Sequence, residues 1–163
     1  MVPPVELPRW AMLSLDVAVW GGWSALAGWW AHLRPAGRFS TDGWLPRPRR
    51  WESDGRFYRE RLGVRRWKDR LPEAGALFAG GFSKRALRST RRDDLERFGV
   101  ETRRAEWAHW LIMAAAPVFF LWNWWWVDLI MVAYALAANL PCVAVQRYNR
   151  ARLTRVLERR RPS

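Results

Sequence analysis

Two apolar stretches stand back to back near the C-terminus, AHWLIMAAAPVFFLWNWW (108–125) and VDLIMVAYALAANLPCVAV (127–145). Each is close to the ~20 residues needed to cross the hydrocarbon core of a bilayer. The chain between them, WNWWWVD, is long enough only for a tight turn, so the two predict an antiparallel helical hairpin. A third stretch, WAMLSLDVAVWGGWSALAGWWAHL (10–33), holds a single acid, Asp16, and completes an expected set of three spans. The fold class that follows is all-α integral membrane, a single domain of three transmembrane helices with interfacial cytoplasmic helices.

Charge orients this bundle. The chain carries 28 Lys and Arg against 15 Asp and Glu in 163 residues, a formal net charge of +13. One cation, Arg9, precedes the first span, twenty lie in 34–104, and seven follow the third span in the tail 147–163. Cations collect on the cytoplasmic side, so the segment 34–104 and the tail face the cytoplasm, with the N-terminus and the Trp-rich turn outside. The fourteen Trp gather at the ends of the apolar stretches, where indole rings suit the headgroup level. A single cysteine, Cys142, permits no intrachain disulfide and does not imply an oxidising compartment. The competing reading, a signal peptide ending near ALA in SALAG, has a weak n-region with only Arg9 beside Glu6 and two prolines. Cleavage there would also export the twenty-cation segment.

The segment 34–104 opens on a loop rich in Pro, Gly and Arg, RPAGRFSTDGWLPRPRR. A short apolar run, 71–82, is too short to span and is expected at the interface. A helix is expected from about Arg91, and the basic tail reads as an amphipathic continuation of the third span on anionic headgroups. Gly21, Ala25 and Gly28 offer a small-residue stripe for packing of the first span. Pro117 and Pro141 are expected to kink the second and third helices.

Counting outward from Trp126 brings Glu106 level with Gln146 and His109 level with Val143, with Asn139 and Gln146 on one helix face. A carboxylate, an imidazole, two amides, Arg147, Asn149 and Arg150 therefore converge at the cytoplasmic boundary. Ionisable groups at that depth are costly and are functional candidates by default. Such a site, membrane on one side and cytosol on the other, suits chemistry between a water-soluble donor and a lipid acceptor. The plainer alternatives are a Glu106 ion pair with Arg103 or Arg104, a His109 bound to a backbone carbonyl, and Asn139 and Gln146 as interhelical hydrogen-bonding residues. Glu106 and His109 form the chain's one Glu-x-x-His pair, and the other histidine, His32, ends the first span, so no metal is expected. Asp16 is remote from this mouth and reads as a structural acid; Cys142 reads as packing.

Four blocks carry a resemblance: VRRWKDRLPEAG (64–75), ETRRAEWAHW (101–110), YALAANLP (134–141) and VQRYNRARLTRVL (145–157). In order and spacing they resemble the glycosyl-4,4'-diaponeurosporenoate acyltransferases, small membrane enzymes of carotenoid synthesis. The resemblance covers roughly residues 55–160 and implies transfer of a fatty acyl chain to a sugar hydroxyl of a membrane-anchored glycoside. Under that chemistry His109 is the candidate base, and Glu106 either orients its imidazole or binds sugar hydroxyls. Asn139, Gln146, Arg147 or Asn149 would serve substrate and oxyanion. Lys68, Arg70, Lys84 and Arg85 would hold the phosphates of the donor, an acyl-coenzyme A or acyl carrier protein, or alternatively lipid phosphate. No tightly bound cofactor is expected. The implied partners are the bilayer, the glycoside acceptor and the fatty acyl thioester, in a multi-pass protein of the bacterial inner membrane. A thin three-span bundle is compatible with a homodimer. The alternative reading is a small basic membrane adaptor without catalysis. A nucleic-acid binder fits poorly, because the cations flank the spans and are divided by them.

Overall fold

Asp93 and Asp94 place two carboxylates in the first turn of α4 (Arg92–Met113), where the helix dipole favours them. The computed structural model describes residues 3–71 and 91–159, and among these every regular element is helical. Besides α4 they include α1 (Arg9–Leu33), the short α2 (Arg56–Glu60) and α3 (Val64–Trp67), and the long α5 (Trp125–Arg159). Residues 72–82 of the expected interfacial run lie outside the described residues.

The apolar stretch 108–125 is not one kinked helix, as the sequence led us to expect. Pro117 has no N–H to offer the Met113 carbonyl, and its ring would press on that carbonyl if the helix continued. α4 therefore ends at Met113, and the Ala115 N–H turns to Ile112 at 3.2 Å. A 3-10 turn, Ala116–Leu121, carries the chain on to Asn123 and the start of α5. The tightened turn frees the Leu111 carbonyl, and the Trp23 indole of α1 donates to it at 2.8 Å. Pro141 lies inside α5 without ending it. With 35 residues α5 is about 52 Å long, so the third apolar stretch and the basic tail form one helix.

α4 and α5 run antiparallel. Gly99 lies against Leu153, Glu106 meets Arg147 and Arg150, and His109 meets Asn139, so partners descend on α5 as they ascend on α4. α1 lies along both. Its Trp20 ring is 5.1 Å from Phe119 and 5.6 Å from Tyr134, and Arg104 of α4 donates to the Arg34 carbonyl. The small-residue stripe does not make this contact. Asp16, Ala27 and Ala31 are the buried residues of α1, while Gly21 has nothing within 4 Å of where a Cβ would stand. The reason is rotational: Asp16 must turn inward to its donors, which leaves Ala25 about half a turn away, facing outward.

Two apolar cores result. Met113, Ala116, Ala135 and Val143 form one between the long helices, with Trp20 and Trp110 packed on it. The other joins Tyr58 and Val64 of the 56–67 segment to Val145 and Tyr148 of α5. Close approach there needs glycine. Gly55, at φ +85°, would place a Cβ 2.8 Å from that of Ala151.

Candidate active site

Glu106 is fully buried on the face of α4 that meets α5. Its Oε1 accepts from Arg147 Nε at 2.7 Å and from the Trp110 indole at 3.3 Å; its Oε2 accepts from Arg150 Nη2 at 2.7 Å. Arg147 also donates through Nη1 to Glu52 at 2.6 Å and through Nη2 to the Leu45 carbonyl at 2.6 Å. Arg150 Nη2 reaches the Pro46 carbonyl at 2.6 Å. Two carboxylates and two guanidiniums thus close a buried cluster that ties residues 45–52 to both long helices. Removing one partner from such a cluster leaves a buried charge uncompensated, which costs about 3–5 kcal/mol.

Glu52 reaches this cluster through an unusual backbone. Ser53 and Asp54 follow it at φ 46° and 54°, and Gly55 at 85°. The left-handed region costs a residue with a Cβ about 1–2 kcal/mol, and the Glu52–Arg147 pair offsets that cost. The Tyr58 hydroxyl lies beside Glu52 and Arg147, and its pKa is pushed well up, first by burial and then by the Glu52 charge.

His109 stands apart from Glu106's partners. Its Nδ1 lies 2.9 Å from Asn139 Oδ1, and Asn139 Nδ2 donates to the Ala135 carbonyl at 2.9 Å. The network assigns the tautomer. A carbonyl oxygen only accepts, so the Asn139 amide nitrogen faces Ala135 and its oxygen faces the ring. In the neutral imidazole Nδ1 therefore carries the proton and Nε2 is left as an acceptor.

The sequence-derived candidates separate accordingly. Glu106 and Arg147 are joined in the buried cluster, and His109 and Asn139 in a second pair beside it. Glu106 does not orient the imidazole: its oxygens are taken by Arg147, Arg150 and Trp110, and Asn139 holds the ring. Gln146 and Asn149 are half-buried on α5 and take no part in these hydrogen bonds. Lys68 pairs with Asp69, and Arg70 is exposed at the end of the following 3-10 turn, Lys68–Arg70. Lys84 and Arg85 lie outside the described residues. Sequence reasoning missed Glu52, Tyr58 and the carbonyls of Leu45 and Pro46. Their one signal is an acid, Glu52, set close behind the cation-rich RPRR.

Comparison with known proteins adds to this geometry. The family model for glycosyl-4,4'-diaponeurosporenoate acyltransferase matches residues 41–159. The chain is 35% identical over 113 residues to the glycosyl-4,4'-diaponeurosporenoate acyltransferases of Staphylococcus aureus strains N315 and USA300, covering 68% of each chain. No solved structure matches it. The matched region contains both the Glu106 cluster and the His109–Asn139 pair, and the chain belongs to the glycosyl-4,4'-diaponeurosporenoate acyltransferase family.

Proposed function

We propose that the protein moves a fatty acyl group from a thioester donor to a sugar hydroxyl of a membrane-anchored glycoside, with a glycosyl carotenoid as the acceptor class. The observation that carries this reading is the Ala135–Asn139–His109 chain, which leaves Nε2 of a half-buried imidazole free to accept a proton. In the reaction Nε2 takes the proton of the sugar hydroxyl as its oxygen bonds to the thioester carbonyl carbon. The tetrahedral intermediate then expels the thiolate, the C–S bond breaks, and the imidazolium returns the proton to sulfur. The products are an ester and a free thiol. Asn139 acts as a positioning residue for the ring, the part an acid plays in other triads. All three Arg147 nitrogens already donate within the buried cluster, and Asn149 lies about 15 Å along α5 from Asn139, which leaves Gln146 as the better oxyanion donor on that helix. Glu106 serves as the anchor of the scaffold and takes no proton from substrate.

The setting we propose is a three-span protein of the bacterial cell membrane, N-terminus outside and basic segments in the cytoplasm. Among the described residues one helix, Trp125–Arg159, is long and apolar enough to cross a bilayer. The exposed large residues of α1 include Leu13, Val17, Leu26 and Trp29, and those of α5 include Leu129, Ile130, Leu136 and Leu140, as lipid-facing surfaces require. The broken middle stretch falls short of a full span by itself: Ala108–Met113 rises about 9 Å and the six residues of the 3-10 turn add at most about 12 Å, against about 30 Å of hydrocarbon core.

The test is a mass-spectrometric comparison of lipids from cells expressing the wild-type or His109→Ala protein at equal membrane levels, in a host that makes the glycoside. The expected outcome is an acylated glycolipid that falls about 10²–10⁴-fold in the variant while its deacylated form accumulates. Matching lipid profiles would overturn the catalytic reading and leave a basic membrane adaptor.

A further inference from the structure

Beyond the His109 pair, the last three turns of α5 carry a second feature that the acyl-transfer chemistry does not use. Tyr148, Arg152, Arg155 and Arg159 recur at helical spacing along one face of α5, and Arg59 and Arg65 face them from the 56–67 segment. Together they enclose a groove of about 290 Å³. Tyr148 is buried there, with the Arg152 guanidinium 5.9 Å from its ring. Five guanidiniums thus meet in one concavity. Arg59 is paired at 2.5 Å with Glu60, both of them exposed; Glu158 lines a neighbouring groove with Arg92 and Glu96. Like charges repel, so a protein gains nothing in stability by gathering them around an open space unless an anion occupies it.

We propose that this groove binds a ligand carrying two or more phosphate groups, and that the ligand is the carrier half of the acyl thioester. Guanidinium forks match phosphate oxygens two at a time. From Tyr148 to Arg159 the row runs about 16 Å along α5, longer than one phosphate needs and suited to a diphosphate with a further phosphate nearby. The groove's near end also has the right separation from the candidate base. Tyr148 is nine residues, or about 14 Å, along α5 from Asn139. A pantetheine arm has about as many backbone bonds between phosphate and sulfur as four peptide residues, and reaches about 14 Å when extended. A donor held by its phosphates in the groove can therefore bring its thioester to the level of His109. The second half of the proposal rests on the acyltransferase reading; the phosphate site itself does not. It also moves the donor's phosphates from Lys68 and Arg70 to Arg59, Arg65, Arg152, Arg155 and Arg159.

The same phosphate chemistry is offered by anionic lipid headgroups, and the test separates the two. The full-length protein in phosphatidylcholine nanodiscs is titrated with free coenzyme A, in calorimetry, at two salt concentrations. One site per chain is expected, weakened by salt. It should weaken about tenfold or more in Arg152→Gln with Arg155→Gln, and again in Arg59→Gln with Arg65→Gln, which leaves α5 untouched. The control Arg38→Gln with Arg47→Gln removes equal charge outside the groove and should bind as wild type. Absence of coenzyme A binding, or binding unchanged in both groove variants, overturns the proposal. So does groove-dependent binding only to vesicles containing phosphatidylglycerol, which would make the groove a headgroup site. The two readings fail separately. An ester formed with no coenzyme A binding sinks the groove and spares the enzyme; groove-dependent binding with no ester formed by wild type does the reverse.

Discussion

Two buried polar clusters sit toward opposite ends of the α5 hairpin, and they are built on opposite plans. Near the basic segments, Glu52 and Glu106 are matched by Arg147 and Arg150, and both carboxylates are ion-paired. Near the hairpin turn, Asp16 Oδ1 accepts from the Trp122 indole at 2.9 Å and from Asn123 Nδ2 at 2.8 Å, and Asp128 lies close enough to feel its charge. Among the described residues neither of these acids takes an ion pair; each cluster keeps buried polar atoms without a hydrogen-bond partner, Arg150 Nη1 in the first and an Asp128 oxygen and the Asn123 side-chain oxygen in the second. The first cluster is a knot of full charges that joins three parts of the chain. The second is a set of neutral donors that fixes the rotation of α1 and closes the turn. The difference follows from what each end has to hold. Where loops must be held against two helices, strong charge-assisted bonds serve; where a turn only has to be seated, indole and amide donors suffice.

The sharpest way to break this contrast is to cut the knot. Glu106→Ala leaves two buried guanidiniums facing each other and should destabilise the protein by about 3–5 kcal/mol. Denaturant midpoints in mixed micelles would read it, and a loss below that of any Asp16 variant would show that the charge cluster is not the keystone. At the other end Asp16→Ala strands two donors and should cost about 1–3 kcal/mol. Asp16→Asn, which keeps an acceptor and removes the repulsion from Asp128, should cost less than Asp16→Ala in the same assay. If Asp16→Asn were instead the worse of the two, charge would matter at the turn after all.

The smallest expected effect depends on pH. Folding raises the Tyr58 pKa, chiefly through burial, so the folded state holds that proton longer than the unfolded chain does. The stabilisation from this group is complete below the ordinary tyrosine value and is lost as pH climbs above about 10. Above that point stability should fall by about 1.4 kcal/mol per pH unit from this residue alone. Tyr58→Phe should flatten that alkaline slope while changing neutral-pH stability by only about 1 kcal/mol, the typical worth of one buried hydroxyl. An unchanged slope would place the alkaline sensitivity outside the charge cluster.

Much of the contrast was legible from residue spacing. A helix rises by a fixed 1.5 Å per residue, so counting away from Trp126 brings 106 level with Gln146 and 109 level with Val143, one turn from the Arg147/Arg150 and Asn139 partners they take. That α4 starts near Arg91 and that α5 runs on into the basic tail were equally readable. Glu52 was not, because nothing periodic leads to it: three successive left-handed residues, Ser53 to Gly55, turn the chain behind it into the cluster. Pro117 was visible, but whether it kinks or ends a helix depends on where the Ala115 N–H turns. The stripe of Gly21, Ala25 and Gly28 misled because one buried acid outranks three small residues in deciding which side of α1 faces in. The pairing of His109 with Asn139 rather than Glu106 was hidden by proximity in sequence. Neighbours one turn apart on a helix lose to a residue presented by the helix opposite.

The indole of Trp23 deserves a final consequence. It holds a peptide oxygen that the end of α4 releases, and in the membrane setting proposed above that oxygen would have no water to fall back on. Parting α1 from α4 at this point would strand it at a cost of several kcal/mol. The bond therefore works as a stitch that keeps α1 and α4 from parting where α4 ends.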